Sequence, residues 1–173
     1  MAGSFFALAL AAVGAGTLNA GSLPPETTIL APPREGFPLP GCSRPTAGPI
    51  EGGWEPKDID ILDMEAALAL AMQSLANLPI YEKGTESPDP LTYQAGDPRW
   101  QRQFFGIVRG GRFLVYGNYL PAHVDIDPAH MPTGVCDGGP VFFGAEYDIE
   151  TGAITHLAFN GGLGGPFWPA FAP

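Results

Sequence analysis

The sequence predicts an α+β fold, with one long helix packed on an antiparallel sheet of about four strands arranged as two hairpins. Three observations carry that expectation. Ile61, Met64, Leu68, Met72 and Leu75 recur at three- and four-residue spacing within Glu55 to Leu78, as an amphipathic helix requires. Gln103 to Val108 and Arg112 to Tyr119 flank Gly110 and Gly111, a pair that accepts the positive φ of a two-residue hairpin turn. Val141 to Tyr147 and Ala153 to Phe159 flank a second turn, Asp148-Ile149-Glu150-Thr151-Gly152.

The helix has signals at both ends. Pro56 suits the first helical position, Asp58, Asp60, Asp63 and Glu65 bring negative charge to the opening turns, and Pro79 stops the run. Leu62, Ala66 and Ala69 widen the apolar stripe, which packs on a sheet. In the last hairpin, Val141, Phe143, Ala145 and Tyr147 point one way and Phe142, Gly144 and Glu146 the other, because side chains alternate along a strand. Both faces are mostly apolar, so this strand is central. Asp148 is placed to accept from backbone amides ahead of it, and Gly152 to take positive φ. Phe105, Ile107, Phe113, Val115 and Tyr119 supply further core.

The chain has 173 residues and is 45% hydrophobic, enough for one core. Its 20 prolines and 24 glycines gather before Trp54, between Pro79 and Pro98, and after Asn160. The expected organisation is a signal peptide over residues 1–20, a Pro-rich arm or linker over 21–53, one α+β domain over 54–161, and a Gly/aromatic tail over 162–173. Within the arm, Thr27 to Ala31 has strand character and suits an added edge strand; disorder is the other reading. The tail holds Phe167, Trp168 and Phe171, an apolar payload that folds back or meets a partner.

Residues Phe5 to Val13 form an apolar run, no charged side chain precedes Glu26, and Leu18-Asn19-Ala20 suits cleavage after Ala20. The Lys or Arg that usually precedes such a run is missing, and an uncleaved anchor or a buried segment are the alternatives. Export to the periplasm or outside is the expectation, with no stable membrane insertion after cleavage. Cys42 and Cys136 are the two cysteines, and in an exported chain they are most simply a disulfide. Closing that loop contributes about 4 kcal/mol in the chain-entropy model.

The net charge is −10, with eight Lys and Arg and no basic cluster, which disfavours nucleic acid and anionic membranes as partners. A protein partner stays open. Arg109 and Arg112 bracket the first hairpin turn and are read as solvated or matched to nearby carboxylates. Residues Pro121 to Pro140 gather His123, Asp125, Asp127, His130, Cys136 and Asp137; of these, His123, Asp125, Asp127 and His130 are candidate metal ligands by chemistry, although their spacing matches no defined ligand pattern. No G-x-S-x-G, H-E-x-x-H, C-x-x-C, phosphate loop or dinucleotide fingerprint is present. Whether Tyr116, His156, Glu146 and Asp137 meet across the sheet is not shown by their spacing alone. No catalytic residue and no cofactor is assigned.

One helix followed by two antiparallel hairpins resembles the helix-gripped sheets of cystatin-like and related small exported domains, over roughly Trp54 to Gly161. The strand, D-x-E-T-G turn, strand and N-G end of Phe142 to Gly161 look like the terminal hairpin of such modules. The central part is also similar to uncharacterised exported bacterial proteins, which implies no activity. A true cystatin would imply cysteine-protease inhibition, but the Q-x-V-x-G motif is absent and Phe167-Trp168-Pro169 reverses the family's Pro-Trp element. The leading functional expectation is a non-catalytic exported module that binds or supports. A metal-assisted hydrolase using the 121–140 loop, or a protease-inhibitor-like module, is the alternative.

Overall fold

The structure, a computed structural model, describes residues 22–40, 44, 46–76, 88–125, 131–136 and 138–160. In chain order the elements are β1 (Thr27–Ile29), β2 (Gly52–Trp54), α1 (Asp58–Ala76), a 3₁₀ turn (Pro90–Thr92), β3 (Trp100–Arg109), β4 (Arg112–Pro121), β5 (Phe143–Asp148) and β6 (Ala153–Phe159). The fold is α+β, with one helix on a mixed six-stranded sheet.

The four predicted strands form, in the order β3-β4-β5-β6, and every pairing among them is antiparallel. Gly110 and Gly111 have φ of 57° and 71°, the paired left-handed values of a tight hairpin turn. In the second turn the Asp148 carboxylate accepts from the amides of Glu150 (2.8 Å) and Thr151 (2.9 Å), and Gly152 has φ 69°.

The expected four-stranded antiparallel sheet is corrected by the Pro-rich segment. β1 runs parallel to β3 with Thr27 opposite Arg102, and β2 runs antiparallel to β3 with Gly52 opposite Val108. The two short strands lie end to end along one edge of β3. Prolines cannot donate to a ladder, so the segment pairs only where they are missing. The Leu30 amide extends the first contact to Phe104 O (2.8 Å), and the Glu51 amide extends the second to Val108 O (2.9 Å).

α1 starts two residues later than Pro56. The Asp60 carboxylate accepts from the Lys57 amide at 2.8 Å, the reciprocal half of a capping box with Lys57 as the cap residue. All five residues of the predicted stripe are buried, and they pack against one face of the sheet: Phe104, Val115, Tyr119, Phe143, Ala145 and Leu157. Gly117 permits this approach, since a Cβ there would lie 2.8 Å from Met64 Cε. Ala66 is exposed, so the stripe is narrower on that side.

The opposite face carries a second apolar cluster of Leu30, Ile50, Phe105, Ile107, Leu114 and Tyr116, with Phe37 and Leu39 against it. The described residues of 30–40 and 46–50 therefore cover that face, through Leu30, Phe37, Leu39 and Ile50. Back on the α1 side, Trp54 packs against the first cluster and lies over Gly106, where a Cβ would sit 2.7 Å from the indole Cδ1, and its Nε1 donates to Leu114 O (3.0 Å) and Ile107 O (3.2 Å). Phe113, expected in the core, is half exposed and meets Trp54 edge-on at 5.8 Å. No helix among the described residues is long and apolar enough to cross a membrane.

Candidate functional site

Among the described residues, this sheet carries two polar clusters and a groove. On the α1 face, Glu65 is fully buried although it sits among the helix's acidic opening residues. Its Oε2 accepts from Tyr93 Oη (2.5 Å) and the Gly96 amide (2.9 Å), and its Oε1 from Tyr119 Oη (3.0 Å). Arg102 Nε lies 3.3 Å from the same Oε2. The rest of the Arg102 guanidinium donates to Pro25 O (3.0 Å), Trp100 O (2.8 Å) and Asp97 O (2.6 Å). The expected role of Glu65 as a dipole charge is thus corrected: it is the anchor that ties helix, 3₁₀ segment and β3 together. Burial, and then the Glu65 charge, push the hydroxyl pKa of both Tyr93 and Tyr119 well above the usual phenol value. Both phenols stay neutral donors at ordinary pH. With every carboxylate oxygen occupied and both partners of the ion pair fully buried, this cluster is structural.

On the opposite face, β4 and β5 align Tyr116 with Glu146, and β5 and β6 align Glu146 with His156. Tyr116, Glu146 and His156, whose meeting the spacing alone left open, are therefore neighbours in register across the sheet, while Asp137 lies outside the described residues. Glu146 is held by Arg109 through two bonds, Nη2 to Oε1 (2.8 Å) and Nε to Oε2 (3.1 Å). Arg112 pairs with Asp148. Both hairpin-turn arginines are matched to carboxylates, as expected. Beside this row, Arg44 donates to Asn160 Oδ1 (2.9 Å), Tyr116 Oη (2.8 Å) and Asn118 Oδ1 (3.1 Å). Burial raises the Tyr116 hydroxyl pKa; the adjacent Arg44 charge opposes that rise.

The groove opens between β3 and the arm. It encloses about 700 Å³ and is floored by Phe105 and Leu30, with Pro33 and Phe37 on one wall and Met131 and Pro132 on the other. The arm wall is shaped by a turn in which Phe37 N donates to Arg34 O (3.1 Å), Gly36 N donates to Ile50 O (2.9 Å) and Gly36 takes φ 72°. The Phe37 ring meets Phe105 edge-on at 6.2 Å. The far wall is fixed by Gln103, whose Nε2 donates to Met131 O (3.0 Å) and whose Oε1 accepts from the Thr133 amide (2.7 Å). Arg34 and Glu35 are the ionisable groups in the lining, and both are exposed.

Of the candidate metal ligands, His123 and Asp125 are exposed, and Asp127 and His130 lie outside the described residues. No group of three potential ligands converges among the described residues. Cys136 is not a free thiol, and Cys42 lies outside the described residues, so the structure describes no bond to it. The expected signal segment, residues 1–20, and the aromatic tail also fall outside them. Glu65 had a signal in the sequence, since it continues the three- and four-residue spacing between Ile61 and Leu68. Arg44, Gln103, Asn118 and Asn160 had none, because their meeting depends on which strands are neighbours. No family model matches this chain, and neither a curated protein nor a solved structure matches it.

Proposed function

We propose that this chain is a non-catalytic binding module of an exported protein, and that the groove between the Pro-rich arm and β3 takes an apolar ligand of small-molecule size. The observation that carries this reading is the groove itself: Leu30, Pro33, Phe37, Phe105, Met131 and Pro132 give it a lining more apolar than polar, its ionisable side chains Arg34 and Glu35 are exposed, and its volume of about 700 Å³ falls in the range of ligand sites. The backbone of both walls is tied by hydrogen bonds, through Gly36 to Ile50 and through Met131 and Thr133 to Gln103, so the space needs little ordering when a ligand enters.

The test is a titration with Nile red, an uncharged apolar dye whose fluorescence rises on leaving water. The native protein is expected to show saturable emission, and Met131→Glu to lower the affinity at least tenfold. Met131 is 68% exposed, so the variant keeps its fold. Non-saturable emission, or equal binding by both proteins, would remove the reading.

Export and a Cys42–Cys136 bond belong to the same proposal. Arg44 and Val135 both hydrogen-bond the Asn160 side chain, at 2.9 and 2.6 Å, which brings the neighbourhoods of the two cysteines to one place. Mass spectrometry of protein from an oxidising compartment is expected to find the pair bonded, and two alkylatable thiols would refute it. Amino-terminal sequencing is expected to start at Gly21; a mature chain that retains residues 1–20 would refute cleavage. The cystatin-like outline is supported only by the helix lying across an antiparallel four-strand row, and inhibition of cysteine proteases is not part of the proposal.

A further inference from the structure

The geometry points to a guanidinium-binding pocket on the sheet face opposite α1, complete without the arm and filled by the chain's own Arg44 as an exchangeable occupant. The three acceptors that meet Arg44 come from β4 and the end of β6: Tyr116 Oη, Asn118 Oδ1 and Asn160 Oδ1, at 2.8, 3.1 and 2.9 Å. Asn118 and Asn160 are fully buried, and Tyr116 is nearly so. Each amide is oriented by partners other than Arg44. Asn118 Nδ2 donates to Gln103 Oε1 (2.9 Å) and Thr133 O (3.0 Å), and Asn160 Nδ2 donates to Val135 O (2.6 Å). Their oxygens therefore face the pocket whether or not a guanidinium is there, which is the preorganisation a binding site requires.

The pocket also has a shape. Gly144 of β5 forms its floor, and a Cβ at that position would lie 2.5 Å from Arg44 Nη1 and closer still to Tyr116 Oη. The space is sized for a flat head group against bare backbone. The acceptors suit a guanidinium over an ammonium: one accepts from Nε and two from Nη1, a spread that a planar fork spans and a single ammonium nitrogen does not. The carboxylate of the facing row, Glu146, is held by Arg109 through two bonds, so neutral acceptors read the ligand. The ligand class is an alkyl guanidinium, either free or carried on the arginine of a partner chain. This pocket is separate from the groove and does not depend on its reading.

The experiment uses the full chain carrying Arg44→Ala, with thermal unfolding followed by circular dichroism in the presence of ethylguanidinium, N-acetyl-arginine-amide or ethylammonium at matched millimolar ionic strength. Ethylguanidinium is expected to raise the melting temperature of the variant saturably by several degrees, to leave the wild type unchanged, and to be matched by N-acetyl-arginine-amide but not by ethylammonium. Rescue by ethylguanidinium assigns the pocket to free guanidinium compounds. Rescue by the arginine derivative alone assigns it to a protein arginine. If Arg44→Ala is unfolded at 25 °C, the same probes are read as refolding. No rescue by either guanidinium compound, or an equal effect of ethylammonium, overturns the assignment.

Discussion

Glu65 shows how a single position joins distant parts of this chain. Its carboxylate binds two phenols, one backbone amide and one guanidinium, with all three side-chain partners buried. Glu65→Ala leaves the Arg102 charge buried without its counter-ion, and is expected to cost about 3–5 kcal/mol in urea unfolding. A loss below about 1 kcal/mol would show that Arg102 is satisfied by its three carbonyl partners alone. The phenols predict a pH dependence. Tyr93 and Tyr119 have folded-state pKa values raised well above the usual 10.0. A group raised in the folded state contributes its stability in full below the unfolded value and loses it as pH rises towards the folded one. Stability is thus expected to fall above about pH 10, with Tyr93 and Tyr119 ionising only as the chain unfolds. Absorbance at 295 nm recorded with circular dichroism checks this; ionisation of all five tyrosines in a chain with native dichroism would contradict it.

At the scale of elements, hairpins and helix were legible because each is specified locally. The two glycines at 110 and 111, the Asp148 to Gly152 turn and the 61-64-68-72-75 stripe act within a few residues, and β6 occupies the expected Ala153–Phe159. β2 was not legible. Gly52-Gly53-Trp54 has no strand pattern, and it pairs because Trp54 docks on Gly106 and β3 offers a free edge. Gly106→Ala is expected to push Trp54 off the strand and cost roughly 1–3 kcal/mol by overpacking, with a red-shifted tryptophan emission. Unchanged stability and emission would mean that the indole shifts without loss. The same reasoning explains Phe113, whose hydrophobicity suggested core but whose position at the hairpin end leaves it half exposed beside Trp54.

At the scale of the whole molecule, the described residues form a sheet with α1 on one face and the described part of the Pro-rich segment on the other. Composition marked residues 21–53 as a linker or an arm lying on the domain, since prolines oppose helix and central strand, and the edge-strand character of Thr27 to Ala31 is met by β1 (Thr27–Ile29). The same residues do not oppose an edge-paired cover. Its apolar members, Leu30, Phe37, Leu39 and Ile50, are spaced irregularly, so no periodicity revealed them. The candidate site depends on this cover, because the arm forms one wall of the groove and delivers Arg44 to the polar pocket. Hydrogen–deuterium exchange of the native protein addresses that dependence most directly. The amides of Leu30, bonded to Phe104 O, and Glu51, bonded to Val108 O, are expected to be protected nearly as long as those shared by β3 and β4. Exchange of both within seconds, while the β3–β4 amides stay protected, would show that the arm is not a standing wall and would contradict the groove.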